Sequence, residues 1–326
     1  MKRFLGIEIG GTKLLVALGD EHGKIRERRK LSVDRFAGAA GIRAQLQEIV
    51  PELIRQRRIL AAGVGFGGPV DWRTGNICRS HQIAGWSEFD LGEWLRNLVG
   101  VPVAVDNDAN VAALAEARHG AGVGSNPVFY VTLGSGVGGG LVLDGNIYHG
   151  ATPGEAEIGH VRLNRRGTTL ESRCSGWALD ARIQRLNRKQ PGALLARMAR
   201  SKPGGEAQHL AAALAKGDSA SKAILQAMAE DLAFGLSHVV HLFHPQLIVL
   251  GGGLSGIGEP LRLAVQQALR QFIMEVFKPG PAIALATLGE DAVPVGALEL
   301  AIERASQDSS SGERLTCRRV RPERRR

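Results

Sequence analysis

Short apolar runs separated by glycine turns are the first pattern in the chain. Residues 4–9 and 14–18 are mainly apolar, and Gly10-Gly11-Thr12 lies between them. Two apolar runs around a glycine turn are typical of a β-hairpin. Residues 128–143 repeat this plan around a second glycine-rich turn, Gly134–Gly140. The repeat predicts two related halves that face each other.

Other segments alternate between strand and helix patterns. Apolar residues recur at helical spacing over residues 41–59, on a face made of Ile42, Leu46, Ile49, Leu53 and Ile54. Continuous apolar runs predict further strands at residues 61–66, 101–105 and 247–250. Further helices are predicted at residues 111–118, over most of 177–243, and from about 295 to 304. Strands that alternate with helices place the chain in the α/β class.

Length and composition narrow the class of protein. A chain of 326 residues, 44% of them hydrophobic, is long enough for two domains with their own cores. No stretch approaches the ~18 apolar residues of a membrane helix, and the short apolar start is interrupted by Glu8, which argues against a signal peptide. The three cysteines are scattered, so we expect no disulfide framework and no cysteine-built zinc site. A cytoplasmic protein is therefore predicted.

Part of the net charge of +9 lies at the C-terminal end. Residues 306–326 carry seven arginines against three acidic residues, together with Ser309-Ser310-Ser311-Gly312. A segment of this composition cannot bury enough apolar surface to order itself, so residues 305–326 are predicted to be a disordered basic tail. We interpret its arginines as solvated charges rather than as a nucleic-acid-binding arm.

Three glycine clusters follow predicted strands: Gly10-Gly11-Thr12, Gly134–Gly140 and Gly251–Gly253. A hairpin turn explains any one of them. Glycines also let successive backbone N–H groups converge on an anion, and hydroxyls such as those of Thr12 and Ser135 add donors. Three clusters together therefore favour a polyphosphate ligand.

Two common nucleotide-binding motifs do not fit. The second cluster contains G-x-G-x-x-G, the dinucleotide fingerprint, which requires a helix after the glycines. Here residues 141–145 have the pattern of a strand and a turn. The sequence also contains no G-x-x-x-x-G-K-[ST] segment. The residues thus disfavour both a dehydrogenase and a P-loop enzyme.

A polar cluster, Asp106-Asn107-Asp108-Ala109-Asn110, connects a predicted buried strand to a predicted helix. Capping of the helix by Asn107 or Asp108 is one explanation. A carboxylate that accepts a hydroxyl proton at the edge of the sheet is the other. Four polar side chains exceed what a cap needs, yet the residues alone support both explanations equally.

A second polar cluster spans Gly154–His160. A lone histidine is usually structural. Glu157 and His160, three positions apart with Gly159 between them, look more like a hydrogen-bonding set for a polyol. Glu171 follows eleven residues after His160 and could join this set.

Taken in order, these segments resemble the motifs of the ROK family of sugar kinases and sugar-responsive repressors, in the superfamily of actin, hexokinase and heat-shock-chaperone ATPases. The resemblance runs from about residue 4 to residue 304. The matching segments are Ile7–Lys13 (first phosphate loop), Gly67–Asp71 (P-G-P-V-D turn), Asn107–Asn110 (N-D-x-N catalytic segment), Leu133–Gly140 (second phosphate loop), Glu157–His160 (E-I-G-H) and Leu250–Gly253 (adenosine-side glycines). One such motif is weak evidence, but the set in this order is specific.

The resemblance implies a fold and an assembly. The fold is the actin-like (ribonuclease H-like) two-domain α/β fold, with ATP and sugar in the interdomain cleft. Residues 1–108 would form a small N-terminal domain, completed by the C-terminal helix at about 295–304, and residues 109–294 a larger domain. ATP and Mg²⁺ would be the cofactors, and a homodimer the assembly.

Carried over position by position, the resemblance also implies roles for single residues. Asp108 would be the general base that takes the proton from the sugar's 6-hydroxyl. The residues implied to bind the sugar are Asn107, Glu157, His160, Glu171 and Gly68. Those implied to bind the nucleotide are Gly10, Gly11, Thr12, Lys13, Gly134, Ser135, Gly136, Gly251 and Gly252.

The sequence departs from the family pattern at three places. Glu8 stands where the family has Asp, the acid expected to face Mg²⁺; an ion pair with Lys13 is the alternative role for Glu8. The family's C-x-C-G zinc motif is missing after His160, because residues 161–170 contain no cysteine, so no zinc is predicted. Gln82 stands where the family tends to have Asn.

The resemblance favours an ATP-dependent hexose kinase that phosphorylates the 6-hydroxyl. Glucose is the first choice of sugar, while N-acetylmannosamine, N-acetylglucosamine and fructose stay open, as does polyphosphate as the donor. The alternatives are a sugar-sensing transcriptional regulator of the ROK type and a catalytically silent sugar-binding protein. Because the family's repressors carry a winged helix-turn-helix before the sugar domain and the first phosphate loop here begins at residue 10, we favour the kinase.

Overall fold

The computed structural model describes residues 2–80, 83–154, 156–200 and 204–317. The β-strands in these residues are β1 (Arg3–Ile9), β2 (Lys13–Gly19), β3 (Ile25–Ser32), β4 (Ile59–Phe66), β5 (Val70–Asp71), β6 (Asn76–Ile77), β7 (Phe89–Asp90), β8 (Val103–Asn107), β9 (Val128–Leu133), β10 (Val137–Leu143), β11 (Asn146–Ile147), β12 (Leu247–Gly251) and β13 (Ala282–Leu285).

Helices connect these strands, which confirms the predicted α/β class. The α-helices are α1 (Gly38–Ile54), α2 (Leu91–Val99), α3 (Asp108–His119), α4 (Glu171–Cys174), α5 (Gly176–Lys189), α6 (Leu194–Ala199), α7 (Leu210–Ala215), α8 (Ser219–Phe243), α9 (Glu259–Leu269) and α10 (Ala292–Cys317). In the part of the chain that the structure describes, none of these helices is long and apolar enough to cross a membrane.

The chain divides into two compact units. Unit 1 consists of Met1–Ala112, Gly150–Gly154 and Asp291–Arg326, and unit 2 of Ala113–His149 and Glu155–Glu290. The chain therefore passes from unit 1 to unit 2 inside α3, between Ala112 and Ala113. It passes back to unit 1 between Glu290 and Asp291, just before α10; these two crossing points are called passages below.

A five-stranded sheet with the order β3-β2-β1-β4-β8 forms the centre of unit 1. β1 and β2 are the predicted antiparallel hairpin, and β4 and β8 run parallel to β1. One face of the sheet packs on α1 and α2 in a core that includes Leu5, Leu14, Leu46, Trp86 and Leu95. A second, three-stranded sheet with the order β5-β6-β7 completes the unit.

Helix α10 packs on β1, β2 and β4 at positions occupied by glycine. A Cβ atom at Gly63 would overlap the carbonyl oxygen of Ala297, and one at Gly19 would overlap the Leu298 side chain. A Cβ at Gly6 would lie 2.9 Å from the carbonyl oxygen of Pro294. The helix and the strands approach this closely only because these strand positions have no side chain.

Helix α10 is longer than the sequence predicts. Its expected end was Arg304, with a disordered tail from residue 305, but the helix continues to Cys317. No proline follows Pro294 before Pro322, so nothing in this segment blocks helical hydrogen bonding. The remainder of the predicted tail, residues 318–326, lies outside the described residues.

Unit 2 has a sheet of the same plan, with the order β11-β10-β9-β12-β13. β9 and β10 form the second predicted hairpin, and β12 and β13 run parallel to β9. Both sheets thus consist of an antiparallel hairpin extended by one strand on one side and by two parallel strands on the other. This common order confirms the repeat seen in the sequence.

Several element boundaries differ from the predicted ones for local reasons. β10 begins at Val137, so Gly138–Gly140 belong to the strand rather than to the turn. A Cβ at Gly139 would lie 3.0 Å from both the Ala156 carbonyl oxygen and Ile158 Cγ2, which explains the glycine there. α1 ends at Ile54 because Gln56 has a positive φ of 59°, and β4 already begins at Ile59.

Candidate active site

In unit 1, the candidate residues meet at one edge of the sheet. β1, β4 and β8 are parallel, so their carboxyl ends lie side by side. Gly10 follows β1, Gly67 follows β4, and Asp108 follows β8. In α/β proteins this edge is where ligands bind.

The first glycine loop closes the hairpin between β1 and β2. Gly10 donates its N–H to the carbonyl oxygen of Lys13 at 2.9 Å. The carbonyl of Gly11 accepts from Arg35 Nε at 2.9 Å, and that of Thr12 accepts from the N–H of Val33 at 3.2 Å. The carbonyl oxygens of Gly11 and Thr12 thus already accept hydrogen bonds within the protein, which favours an anion rather than a cation as the ligand of the loop.

Glu8 forms an ion pair with Lys13 across the hairpin. Lys13 Nζ lies 2.9 Å from Glu8 Oε2, and Glu8 is only 8% exposed. This pair is the alternative role that the sequence left open for Glu8.

The polar cluster at the junction of β8 and α3 contains both a cap and a more accessible carboxylate. Asn107 Oδ1 accepts from the N–H of Ala109 at 2.8 Å and of Asn110 at 3.3 Å, so Asn107 caps α3. Asp106 Oδ1 accepts from Asn110 Nδ2 at 3.0 Å. Asp106, Asn107 and Asn110 are buried, whereas Asp108 is only partly buried. The capping role therefore belongs to Asn107, and Asp108 is the most accessible polar side chain in the cluster.

The Asp108 carboxylate lies beside the turn that follows β4. A Cβ built on Gly67 would lie 3.4 Å from Asp108 Oδ2, 3.4 Å from the carbonyl oxygen of Ile9 and 3.6 Å from Gly10 Cα. Gly67 is thus held between the carboxylate and the first glycine loop. The structure brings Asp108 and this loop together within unit 1, separated only by a residue without a side chain.

Asn107 and Gly68 are also brought together. Asn107 Nδ2 donates to the carbonyl oxygen of Gly68 at 3.2 Å. Both polar groups of the Asn107 side chain thus have protein partners. A sugar hydroxyl at Asn107 would have to share or replace one of these contacts.

In unit 2, the second glycine loop lies against Glu171. The N–H of Val137, the first residue after the loop, donates to Glu171 Oε2 at 2.9 Å. A Cβ on Gly136 would lie 2.5 Å from that same oxygen, so any other residue there would displace the Glu171 carboxylate or the loop. Gly134 accepts from the N–H of Gly176 at 2.8 Å, which ties the loop to the start of α5. Glu171 therefore supports the second glycine loop. This contact is additional to the sugar-binding role that the sequence predicts for Glu171.

The third glycine cluster packs on the strand that leads into the second loop. Gly252 has a φ of 78°, and a Cβ there would lie 2.6 Å from the backbone nitrogen of Leu133. A Cβ on Gly251 would overlap the Tyr130 hydroxyl. Both glycines are therefore required for β12 to end directly beside the second loop, which begins at Gly134.

The E-I-G-H segment joins the same region of unit 2. Gly159 packs on the carbonyl of Val137, where a Cβ would overlap. Glu157 and His160 are exposed, with 3.9 Å between Glu157 Oε2 and His160 Nε2. Two exposed polar side chains beside the second loop are available to a ligand. Their binding of sugar hydroxyls stays a prediction.

Hydrogen bonds close the segment after His160, where the family's zinc motif is missing. Leu163 donates its N–H to the carbonyl oxygen of Thr168 at 2.8 Å, and Asn164 Nδ2 donates to Thr168 Oγ1 at 2.9 Å. Leu170 donates its N–H to the carbonyl of Val161 at 2.9 Å. The nearby Cys174 is fully buried, and this burial raises the pKa of its thiol to about 12, which disfavours the thiolate that zinc requires.

We expect protein purified without added metal to contain no stoichiometric zinc, because local hydrogen bonds already close residues 161–170. Elemental analysis would measure this directly. A chelator should also leave the thermal unfolding midpoint unchanged, since removal of a structural zinc normally destabilises the fold. About one zinc per chain, or a clear loss of stability with chelator, would contradict the prediction.

Arg35 is a residue of this region that the sequence did not single out. It lies in the loop between β3 and α1, and its guanidinium contacts the first glycine loop through Gly11. A single arginine in a polar loop gives no signal without knowledge of this contact. Gln82, one of the departures from the family pattern, lies outside the described residues, as does Glu155.

Comparisons with known proteins agree with this arrangement. The model of the ROK family matches residues 4–304. The glucokinase of Thermotoga maritima is 29% identical, over 93% of this chain and 98% of the relative. The structure of a ROK family glucokinase from Streptomyces griseus, in complex with glucose and AMPPNP, is similar with a TM-score of 0.81 at 30% identity, covering 92% of this chain and 99% of that chain.

A regulator has the same fold. The structure of a ROK family transcriptional regulator, a homologue of the E. coli MLC protein, has a TM-score of 0.83 at 21% identity, covering 93% of this chain and 78% of the regulator. At this identity the likeness shows the fold alone. Together with the glucokinase structure, it confirms the predicted actin-like fold.

Proposed function

The chain belongs to the ROK family, and on this premise we propose that it is an ATP-dependent hexose kinase that phosphorylates the 6-hydroxyl of glucose. The observation that carries the proposal is the position of Asp108. Its carboxylate is more accessible than its polar neighbours and lies beside the first glycine loop, at the carboxyl edge of the unit 1 sheet. The glucokinases among the relatives favour glucose as the sugar.

Asp108 would act as the general base. As the 6-hydroxyl oxygen attacks the γ-phosphorus of ATP, its proton passes to the Asp108 carboxylate and the bond between the γ-phosphorus and ADP breaks. Phosphoryl transfer depends mainly on positioning and charge neutralisation, with the base orienting the hydroxyl. Asn107 would serve this step by fixing the first turn of α3, which carries Asp108.

The glycine loops would hold the nucleotide. In unit 1 these residues are Gly10, Gly11, Thr12 and Lys13, and in unit 2 they are Gly134, Ser135, Gly136, Gly251 and Gly252. Close packing at Gly136 and Gly252 keeps the backbone of the unit 2 loops in one shape, which supports nucleotide binding through backbone groups. Glu157 and His160 would bind sugar hydroxyls, with Asn107, Gly68 and Glu171 contributing through the shared contacts described above.

Mg²⁺ would neutralise charge on the β- and γ-phosphates, and Glu8 is the residue that we propose faces it. The ion pair with Lys13 fits a contact through water better than direct coordination. Mg²⁺ usually keeps several of its waters in protein sites, so such an outer position suits it.

Glu8→Gln should raise the Mg²⁺ concentration needed for half-maximal rate by about tenfold or more and lower kcat, with the sugar KM little changed. Removal of the charge weakens the field that orders the hydrated ion. Steady-state rates across a Mg²⁺ series would measure the effect. Glu8→Asp is the matched control, because it keeps the charge and should stay active. Full activity of Glu8→Gln at limiting Mg²⁺ would contradict the proposed metal role, and the ion pair with Lys13 would then be the only role of Glu8.

A coupled assay for ADP release across a hexose panel tests the proposed function. Glucose, N-acetylmannosamine, N-acetylglucosamine and fructose should be compared, with polyphosphate as a second donor in a parallel assay for the sugar phosphate. Turnover of glucose with ATP is the expected result. Sugar binding without turnover of any hexose would favour the alternatives, a ROK-type regulator or a silent sugar-binding protein.

The assembly and location implied by the resemblance also stay proposals. We propose a homodimer that acts in the cytoplasm on a small sugar and does not bind nucleic acid. Light scattering after gel filtration would give the mass of the assembly, and a mass of one chain at working concentration would contradict the dimer.

A further inference from the structure

A buried carboxylate that the proposed mechanism does not use lies in the second half of α3. Glu116 has no exposed surface. Its Oε1 accepts from the N–H of Leu288 at 2.8 Å, and its Oε2 accepts from the N–H groups of Ala121 at 2.8 Å and Thr287 at 3.2 Å. The Thr287 hydroxyl lies 3.4 Å from the same Oε2. Glu116 thus binds two residues that are far away in the sequence: Thr287 follows it by 171 positions and Leu288 by 172.

At one of these donors, water could take the place of the carboxylate. Thr287 is exposed, so water could accept its hydrogen bonds. Burial of a charged group is costly, and an apolar side chain of similar size would avoid that cost. The chain is also shaped around the carboxylate, since a Cβ at Gly120 would overlap Glu116 Oε2. What the carboxylate adds is a fixed, directional link between α3 and the segment at Thr287–Leu288.

That link lies next to two passages of the chain between the units. α3 belongs to unit 1 up to Ala112 and to unit 2 from Ala113, one helical turn before Glu116. The chain returns to unit 1 after Glu290, two residues beyond Leu288. The same α3 carries Asp108 at its first position. Glu116 therefore ties together, inside unit 2, the two segments that lead out of it towards Asp108 and towards α10.

We propose that Glu116, Thr287 and Leu288 form a clasp that makes these two passages move as one, and that Glu116 is thereby a positioning residue for Asp108. The proposal rests on the proposed function for its kinetic consequence. Without the clasp, α3 and the segment before α10 shift independently, and the carboxylate of Asp108 is in its productive position for a smaller fraction of the time.

Glu116→Gln tests the clasp, because it keeps the shape but replaces an acceptor oxygen by an N–H₂ donor. Glu206→Gln is the matched control: Glu206 is also a buried glutamate of unit 2, 3% exposed, and accepts from the N–H of Gly204 and from Gln184 Nε2. Both variants should be compared for kcat, sugar KM, thermal unfolding midpoint and hydrogen exchange. We expect kcat of Glu116→Gln to fall about 5- to 30-fold and that of Glu206→Gln to stay near wild type.

The exchange measurement separates a clasp from simple support of the fold. In Glu116→Gln, the amides of residues 286–290 and of the first turns of α3 should both exchange faster, while Glu206→Gln leaves them protected. A kcat within about twofold of the control, or exchange that rises only at Thr287 and Leu288, would overturn the proposal. If Glu116→Gln does not fold, Thr287→Val removes one contact of the clasp and should shift kcat and exchange in the same direction by less.

Failure of the proposed function gives a different result. If the wild-type protein phosphorylates no hexose, hydrogen exchange in Glu116→Gln at residues 286–290 and in the first turns of α3 still shows whether the clasp exists. Faster exchange in both segments supports it, and unchanged exchange in the first turns of α3 overturns it.

Discussion

Asp108→Asn should lower kcat for hexose phosphorylation by about 10²–10⁴-fold, the usual contribution of a general base. The amide keeps the size of the side chain but cannot accept the hydroxyl proton. The sugar's dissociation constant, measured by calorimetry, should change little, because Asp108 acts on the proton in transit. Folding should survive, since Asn107 rather than Asp108 caps α3.

Asp90→Asn is the matched control for this variant. Asp90 caps α2 in the same unit through the N–H of Glu93, and asparagine is as good a cap, so the change removes one negative charge near a helix N-terminus and nothing else. Its activity should equal that of the wild-type protein. Near-normal turnover of a folded Asp108→Asn protein would exclude Asp108 as the base.

Gly136→Ala should lower kcat/KM for ATP by about tenfold or more, comparable to the loss of a supporting contact in a binding site. The added Cβ would lie 2.5 Å from Glu171 Oε2, closer than any real contact, so either the glycine loop or Glu171 has to move. Both outcomes disturb the hydrogen bond from Val137 that fixes the end of the loop. Steady-state kinetics with ATP as the varied substrate would measure the effect.

A second variant decides whether this clash is the cause. In Glu171→Ala the obstructing oxygen is gone, so adding Gly136→Ala should cost little beyond the Glu171→Ala loss, a non-additive result for residues in contact. Gly192→Ala, in a loop of unit 2 where a Cβ would meet nothing within 4 Å, controls for the methyl group itself. Fully additive losses in the double variant would contradict a shared cause.

The parts of the fold that rest on local pattern could be predicted from the sequence. Each hairpin is a pair of apolar runs around glycines, and β9 was predicted with its observed bounds. The adjacent strand, polar cluster and helix marked residues 106–110 as a candidate site, and the resemblance to the N-D-x-N motif selected Asp108 within it. β3 could not be found in this way. Its sequence, Ile25–Ser32, is largely charged because it lies at the edge of the sheet, so the apolar pattern of a buried strand is absent.

The contacts that define the site's details are long-range and leave no trace in one sequence. Glu171 and Val137 are 34 positions apart, and Glu116 and Leu288 are 172 positions apart. The sequence shows a carboxylate and a loop, but only the fold brings them together. Asn107 illustrates the converse, since both of its possible roles were evident and only the geometry shows that it caps α3.

The dependence of unit 1 on α10 has a consequence for how the chain is made. Gly6, Gly19 and Gly63 lie in strands that are made before unit 2, yet the helix that packs on them follows the whole of unit 2 in the sequence. While unit 2 is being translated, the face of β1, β2 and β4 that packs on α10 therefore stays exposed. Because the segments of unit 2 are all made before Asp291, it can fold first, and unit 1 closes only when α10 emerges. A purified chain that ends at residue 290 should accordingly hold a protease-resistant unit 2 and a protease-sensitive unit 1.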